Sequence, residues 1–188
     1  SYEEDGYAHL FAYIPEKMPV TRLTSGDWDD IAPAASPDGK KIAFASNRGG
    51  FWDLYLMDMS SGEVTQLTDT PSYEGAPTWS PDGTFLAYEA YLDDNLEIVV
   101  GPVDDPLNGA VRLTTTSATD HSPSWSPGGR QIVFVSNGDV ILADLDRTDE
   151  GRFQNLSGTP LASESHPLWS PDGHRIVWAS ASQSIGQS

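Results

Sequence analysis

Four acidic residues recur at one place in this sequence. Asp30, Glu74, Asp120 and Glu164 each stand three residues before a proline: Pro33, Pro77, Pro123 and Pro167. Oxygen donors in such number suit Ca2+ or Mg2+. Four carboxylates gathered together repel one another unless a cation, or a basic group of a partner, sits among them. The same residues can equally cap backbone N–H groups in their own loops, a role repeated wherever the loop repeats. His121 and His166 lie next to this position at unequal offsets, two and one before their prolines, which argues against a symmetric histidine metal site. These six residues are the candidates for binding a ligand or partner. Catalytic candidates are none: Gly-x-Ser-x-Gly, P-loop and Gly-x-Gly-x-x-Gly patterns are absent from the sequence.

The elements that must position these residues follow from a longer repeat. Ala35-Ser36-Pro37-Asp38-Gly39, Trp79-Ser80-Pro81-Asp82-Gly83, Trp125-Ser126-Pro127-Gly128-Gly129 and Trp169-Ser170-Pro171-Asp172-Gly173 recur at steps of 44, 46 and 44 residues. A second marker keeps phase with the first: Arg22-Leu23-Thr24, Gln66-Leu67-Thr68, Arg112-Leu113-Thr114 and Asn155-Leu156-Ser157. Two linked markers at one period define a repeat protein. In each motif the proline ends a strand and Asp-Gly turns the chain. Short apolar runs follow, such as Lys41–Ser46, Asp53–Met57 and Val64–Thr68, with Asn-Arg-Gly-Gly and Ser-Ser-Gly turns between them. No segment has helical periodicity. One period therefore holds four short strands, and four-stranded units of about 45 residues arranged radially make a β-propeller. The acid before each proline falls between the last strand of one unit and the first of the next, near one mouth of a central channel.

The order Arg-Leu-Thr, Pro-x-Trp-Ser-Pro-Asp-Gly, Ile-Ala-Phe-x-Ser, Leu-Tyr-x-Met resembles the TolB-type propeller repeat, the WD40-like or PD40 repeat. It is met here as Gln66-Leu67-Thr68, Pro77 to Gly83, Ile42 to Ser46 and Leu54 to Met57. Ala35 in place of Trp and Gly128 in place of Asp are departures. The resemblance implies a non-catalytic protein- or peptide-binding scaffold, extracytoplasmic in a bacterium, in the periplasm, secreted or on the cell surface. It also leaves open an accessory propeller of a peptidase or polysaccharide lyase, or a structural segment of a larger envelope or sensor protein.

The ends of the chain are complementary. His9–Ile14 and Leu23 align with Asp53–Asp58 and Leu67 at an offset of 44, so residues 7–24 supply strands three and four of a unit. Residues 166–180 supply strands one and two. The expectation is one all-β domain over residues 1–188, a ring of four blades closed by pairing these halves, which would protect open sheet edges. A part of a six- to eight-bladed propeller, or two chains forming one eight-bladed ring, suits the same phase; otherwise the chain is a monomer.

Composition narrows the partners. The sequence has 188 residues, no cysteine and a formal charge of −18. Such a surface repels nucleic acid and anionic lipid and favours basic groups. No apolar run has the length of a membrane span. The expected partner is a protein or peptide carrying basic groups, no cofactor is required, and Ca2+ or Mg2+ among Asp30, Glu74, Asp120 and Glu164 is the possible metal. Asp144–Gly151 lacks the glycine and the closing glutamate of a calcium loop and reads as a turn. The exposed aromatics Trp28, Trp52, Tyr73 and Tyr91 fall in or near turns, where they serve either as binding residues or as cover for the core.

Overall fold

The computed structural model describes residues 6–15, 17–159 and 162–182. Three four-stranded antiparallel sheets stand in sequence. The first has the order β3 (Asp30–Ala35), β4 (Lys41–Ser46), β5 (Asp53–Asp58) and β6 (Val64–Gln66). The second holds β7 (Glu74–Trp79), β8 (Phe85–Leu92), β9 (Asn95–Pro102) and β10 (Val111–Arg112). The third holds β11 (Asp120–Trp125), β12 (Gln131–Ser136), β13 (Asp139–Asp144) and β14 (Phe153–Asn155). They are flanked by two hairpins, β1 (Phe11–Ile14) with β2 (Lys17–Arg22), and β15 (Ala162–Trp169) with β16 (Ile176–Ser182). The first strands pack on one another, β3 on β7, β7 on β11 and β11 on β15, which puts them innermost.

Both faces of the middle strands are buried, because each sheet lies between two others. In β8, Leu86 and Tyr88 join Ala43, Leu54 and Trp79 on one side, while Ala87 joins Ile132 and Phe134 on the other. The continuous apolar runs of the sequence are this two-sided burial. Trp79 Nε1 donates to the Ala34 carbonyl of the preceding sheet at 2.9 Å. At the Ser-Pro-x-Gly turns, a Cβ on Gly83, Gly129 or Gly173 would touch Pro37, Pro81 or Pro127 of the preceding turn at 3.6, 3.6 and 3.8 Å. The φ of these glycines is +73°, +74° and +71°, so the turn needs glycine for its backbone as well. Each turn is tied by its serine: Ser80 Oγ donates to Asp82 and accepts the Phe85 N–H.

β2 begins at Lys17 and carries Pro19, which an outer strand tolerates because the ladder does not need that N–H. The expected ring closure is not shown. The hairpins β1–β2 and β15–β16 remain separate two-stranded sheets, and no ladder joins β1 to β16 among the described residues. Leu168, Val177 and Trp178 are 57%, 58% and 38% exposed. Matching sequence phase makes the halves compatible, but the turn from one blade to the next is set by the tryptophan and proline–glycine contacts between sheets. The blades are those expected, and the pairing that would close them into a four-bladed ring is not seen among the described residues.

Candidate functional site

The four candidate acids are the opening residues of innermost strands rather than loop residues. Asp30, Glu74 and Asp120 begin β3, β7 and β11, and Glu164 is the third residue of β15. Their exposures are 1%, 3%, 1% and 2%. A β-bulge follows each one. The register shifts between Ile31 and Ala34, Gly75 and Thr78, His121 and Ser124, and Ser165 and Leu168. Inside each bulge one residue turns left-handed, Ala32 at φ 50°, Ala76 at 46°, Ser122 at 56° and His166 at 53°. The recurring proline comes next, where the ladder asks nothing of its missing N–H. The strand thus begins three or more residues before its proline, and this brings the acid inside it.

Each carboxylate is held by its own neighbourhood. Asp30 Oδ1 accepts from Arg48 Nη2 at 2.7 Å, and Asp30 Oδ2 lies 3.7 Å from His9 Nδ1. Glu74 Oε1 accepts from the Thr70 hydroxyl at 2.7 Å. Glu164 Oε1 accepts from Thr159 at 2.7 Å and Ser180 at 3.3 Å. Their backbone N–H groups bond across to the preceding blade, Asp30 to Ala8, Glu74 to Trp52 and Glu164 to Gly138. Burial, partly offset by the Thr70 hydroxyl and reinforced by the charge of Asp53, raises the Glu74 pKa. Burial likewise raises that of Asp120, against hydrogen bonds from Ser136 and Thr114. One oxygen of each acid, Asp30 Oδ2, Glu74 Oε2, Asp120 Oδ1 and Glu164 Oε2, has no hydrogen-bond partner among the described residues. The partners of these carboxylates are side chains; the expected capping of backbone N–H groups is not seen among the described residues.

No three His, Asp or Glu side chains among the described residues come together as one metal-holding group. His121 is half-buried with Nδ1 3.0 Å from the Ser122 hydroxyl, and His166 is exposed. At the opposite end of the strands, the aspartates of the Ser-Pro-Asp-Gly turns are exposed and hold their pKa values low through the Ser36, Ser80 and Ser170 hydroxyls. Asp144 accepts the Asp146 N–H and Asp149 caps a 3-10 turn, so that stretch is indeed a turn.

Sequence reasoning missed three parts of the site. Arg48 belongs to one blade only; it pairs with Asp30 and lies over the rings of Trp28, Phe44 and Tyr55, 5.1, 5.4 and 4.8 Å from their centroids. A second acidic series, Asp53, Glu97 and Asp139, stands at or near the starts of third strands. The marker hydroxyls serve it: Thr24, Thr68, Thr114 and Ser157 accept the N–H of Leu10, Leu54, Ile98 and Val140. Thr68, Thr114 and Ser157 also donate to Asp53, Glu97 and Asp139. The hydroxyl recurring at the end of every Arg-Leu-Thr marker was the signal for it.

Blade order, the serine-tied turns and these marker hydroxyls agree with the match between residues 1–171 and the family model described as the TolB beta propeller domain, PD40. The chain belongs to the TolB β-propeller domain family. Among relatives, it is 34% identical over 98 residues to "Uncharacterized peptidase YuxL" of Bacillus subtilis, covering 51% of this chain and 15% of that protein. It is 35% identical over 69 residues to "Tol-Pal system protein TolB" of Alcanivorax borkumensis, covering 36% and 16%. The matches thus span about a sixth of the length of these curated relatives. The solved structure of a putative TolB from Agrobacterium tumefaciens superposes with a TM-score of 0.78 at 25% identity, over 97% of this chain and 68% of that one. The remainder of that structure has room for about two further units of this period. This member of the TolB propeller family places its recurrent carboxylates at or near the starts of the strands that pack from blade to blade.

Proposed function

We propose that this chain is a non-catalytic, protein-binding propeller of the TolB type, working outside the cytoplasm. A basic segment of a protein partner docks at the end of the axis where β3, β7, β11 and β15 begin. The observation that carries this reading is the recurrence of a buried carboxylate on each of those four strands, with one oxygen of Glu74, Asp120 and Glu164 lacking a hydrogen-bond partner among the described residues. The formal charge of −18 favours a basic partner over any other kind. The acids do not gather into one metal-holding group among the described residues, so basic groups reaching them one by one suit their spacing better than a shared divalent ion. No helix among the described residues is long and apolar enough to cross a membrane.

The test is affinity capture with wild type and with a variant carrying Asp30→Asn, Glu74→Gln, Asp120→Asn and Glu164→Gln. Specific capture of a basic protein by wild type, lost in the variant, supports the reading. Equal capture by both sinks it. The match to part of a peptidase favours a second reading, an accessory propeller beside an enzyme. In that case the protein captured would be a hydrolase domain, and the four amides would leave its binding unchanged.

A further inference from the structure

At the Ser-Pro-x-Gly end of the strands, away from the buried acids, a cavity stands at each step from one sheet to the next. Between the first and second sheets it measures about 370 Å3, between the second and third about 460 Å3, and between the third and the β15–β16 hairpin about 530 Å3. Each is walled by the Ser-Pro turn of one unit and by the tryptophan and turn glycine of the next, Trp79 with Gly83, Trp125 with Gly129 and Trp169 with Gly173. The three are copies of one groove, so their differences are informative.

Two departures from the repeat meet in the middle copy. The residue four places after the motif proline lines all three, as Lys41, Phe85 and Gln131, and in the last unit it is Arg175. Only the middle cavity has an apolar residue there. The residue after the next motif proline is Asp82 in the first cavity and Asp172 in the last, but Gly128 in the middle. A Cβ on Gly128 would meet nothing within 4 Å, so the missing side chain leaves open space. Both departures remove polar or charged atoms from the same place. The first cavity is lined by Asp38, Lys41 and Asp82, and the last by Arg130, Asp144, Asp146 and Asp172. The middle one has apolar walls of Phe85, Val100, Trp125 and Leu145, with Ser80 and Asp82 as its polar members.

That polar pair is already arranged. Ser80 Oγ donates to Asp82 Oδ1 at 2.6 Å, and the N–H and hydroxyl of Thr84 donate to the same oxygen at 3.0 and 2.7 Å. These bonds hold the Asp82 pKa low and the group ionised. The side chain is exposed, and its Oδ2 accepts no hydrogen bond among the described residues. Phe85 is fixed through its backbone, donating to Ser80 Oγ and accepting the Ser80 N–H at 2.9 Å each, while 42% of it stays exposed. Apolar and aromatic walls with one placed charge are the make-up of a small-molecule site, and the volume lies in the range of such sites, about 300–1,000 Å3.

We infer that the cavity between the second and third sheets binds a small aromatic cation, its ring between Phe85, Val100, Trp125 and Leu145 and its ammonium on Asp82. The formal charge of −18 disfavours an anion in the same place. The site lies at the opposite end of the strands from the carboxylates of the protein-binding reading and does not rest on it. The experiment is calorimetric titration of the purified chain with 2-phenylethylammonium chloride, with 2-phenylethanol as the ring without the charge and n-propylammonium as the charge without the ring. Wild type should bind 2-phenylethylammonium saturably, one per chain, and at least tenfold more tightly than either control. Phe85→Lys, which installs the residue of the first blade, should weaken binding tenfold or more. Asp82→Asn, which keeps an oxygen for Ser80 and Thr84, should erase the preference over 2-phenylethanol. Asp38→Asn, the same change in the turn before, should alter neither. No saturable binding by wild type, equal affinity for either control, or undiminished binding by folded Phe85→Lys would overturn the proposal. Should Phe85→Lys not fold, an undiminished preference in Asp82→Asn overturns it instead.

Discussion

Replacing Arg48 with Met probes the Asp30–Arg48 ion pair at the start of β3, where His9 Nδ1 also lies 3.7 Å from Asp30. The Asp30 side chain is fully buried, and that of Arg48 is 19% exposed. Their contact is 2.7 Å, and Arg48 Nε also donates to the Ser46 hydroxyl at 3.0 Å. Removing one partner of such a pair leaves an uncompensated charge, which costs about 3–5 kcal/mol. Loss of the cation–π contacts adds about 0.5–1 kcal/mol, part of it recovered by the packing of Met. Against a typical domain stability of about 5–15 kcal/mol, Arg48→Met should fold with its urea midpoint markedly lowered. Asp30→Asn in the same chain removes the orphaned charge, so the double variant should regain about half the loss, a favourable coupling of about 2 kcal/mol. Urea unfolding followed by circular dichroism on the four members of the cycle measures this. If Arg48→Met loses less than about 1 kcal/mol, or the double variant loses the sum of the singles, the pair does not hold the strand start as described.

Two further outcomes follow from the same contacts. Glu74 and Asp120 have folded pKa values raised above the unfolded ones, so the stability they contribute is present at low pH and lost as pH rises through the raised values. Asp58, lowered to about 2 by its Ser60 and Ser61 hydrogen bonds, and Asp38, Asp82 and Asp172 act in the opposite sense, their contribution being lost as pH falls below 3.8. Melting temperature against pH should therefore peak in the mildly acidic range, and Glu74→Gln should flatten its alkaline side; an unchanged alkaline side contradicts the assignment. Ser80→Ala strips the acceptor from the Phe85 N–H at a turn whose serine is buried but whose other residues are largely exposed, and should cost about 0.5–1.5 kcal/mol by denaturant unfolding.

The blades were legible because the repeat writes them four times. Strand ends at Pro37, Pro81, Pro127 and Pro171, and apolar runs such as Ile132–Val135, need only propensity and two-sided burial to be read. The strand starts were not legible. Their bulges use Ala32, Ala76, Ser122 and His166 at positive φ, with no glycine to announce it. An acid three residues before a proline therefore read as a loop residue, when it is the buried start of a strand. Arg48 escaped notice because it occurs in one blade, and repeat logic sees only what recurs. Ring closure was not legible for another reason: strand phase is written locally, whereas the angle between sheets comes from side chains meeting across an interface, as Trp79 meets Ala34.

The most direct test of the strand-start carboxylates as a binding surface is carboxyl 13C NMR during titration with hexalysine. The account predicts that the side-chain carboxyl signals of Asp30, Glu74, Asp120 and Glu164 shift together along one saturation curve. If those four stay in place while exposed carboxylates such as Asp38, Asp82 and Asp146 shift instead, the central claim is contradicted.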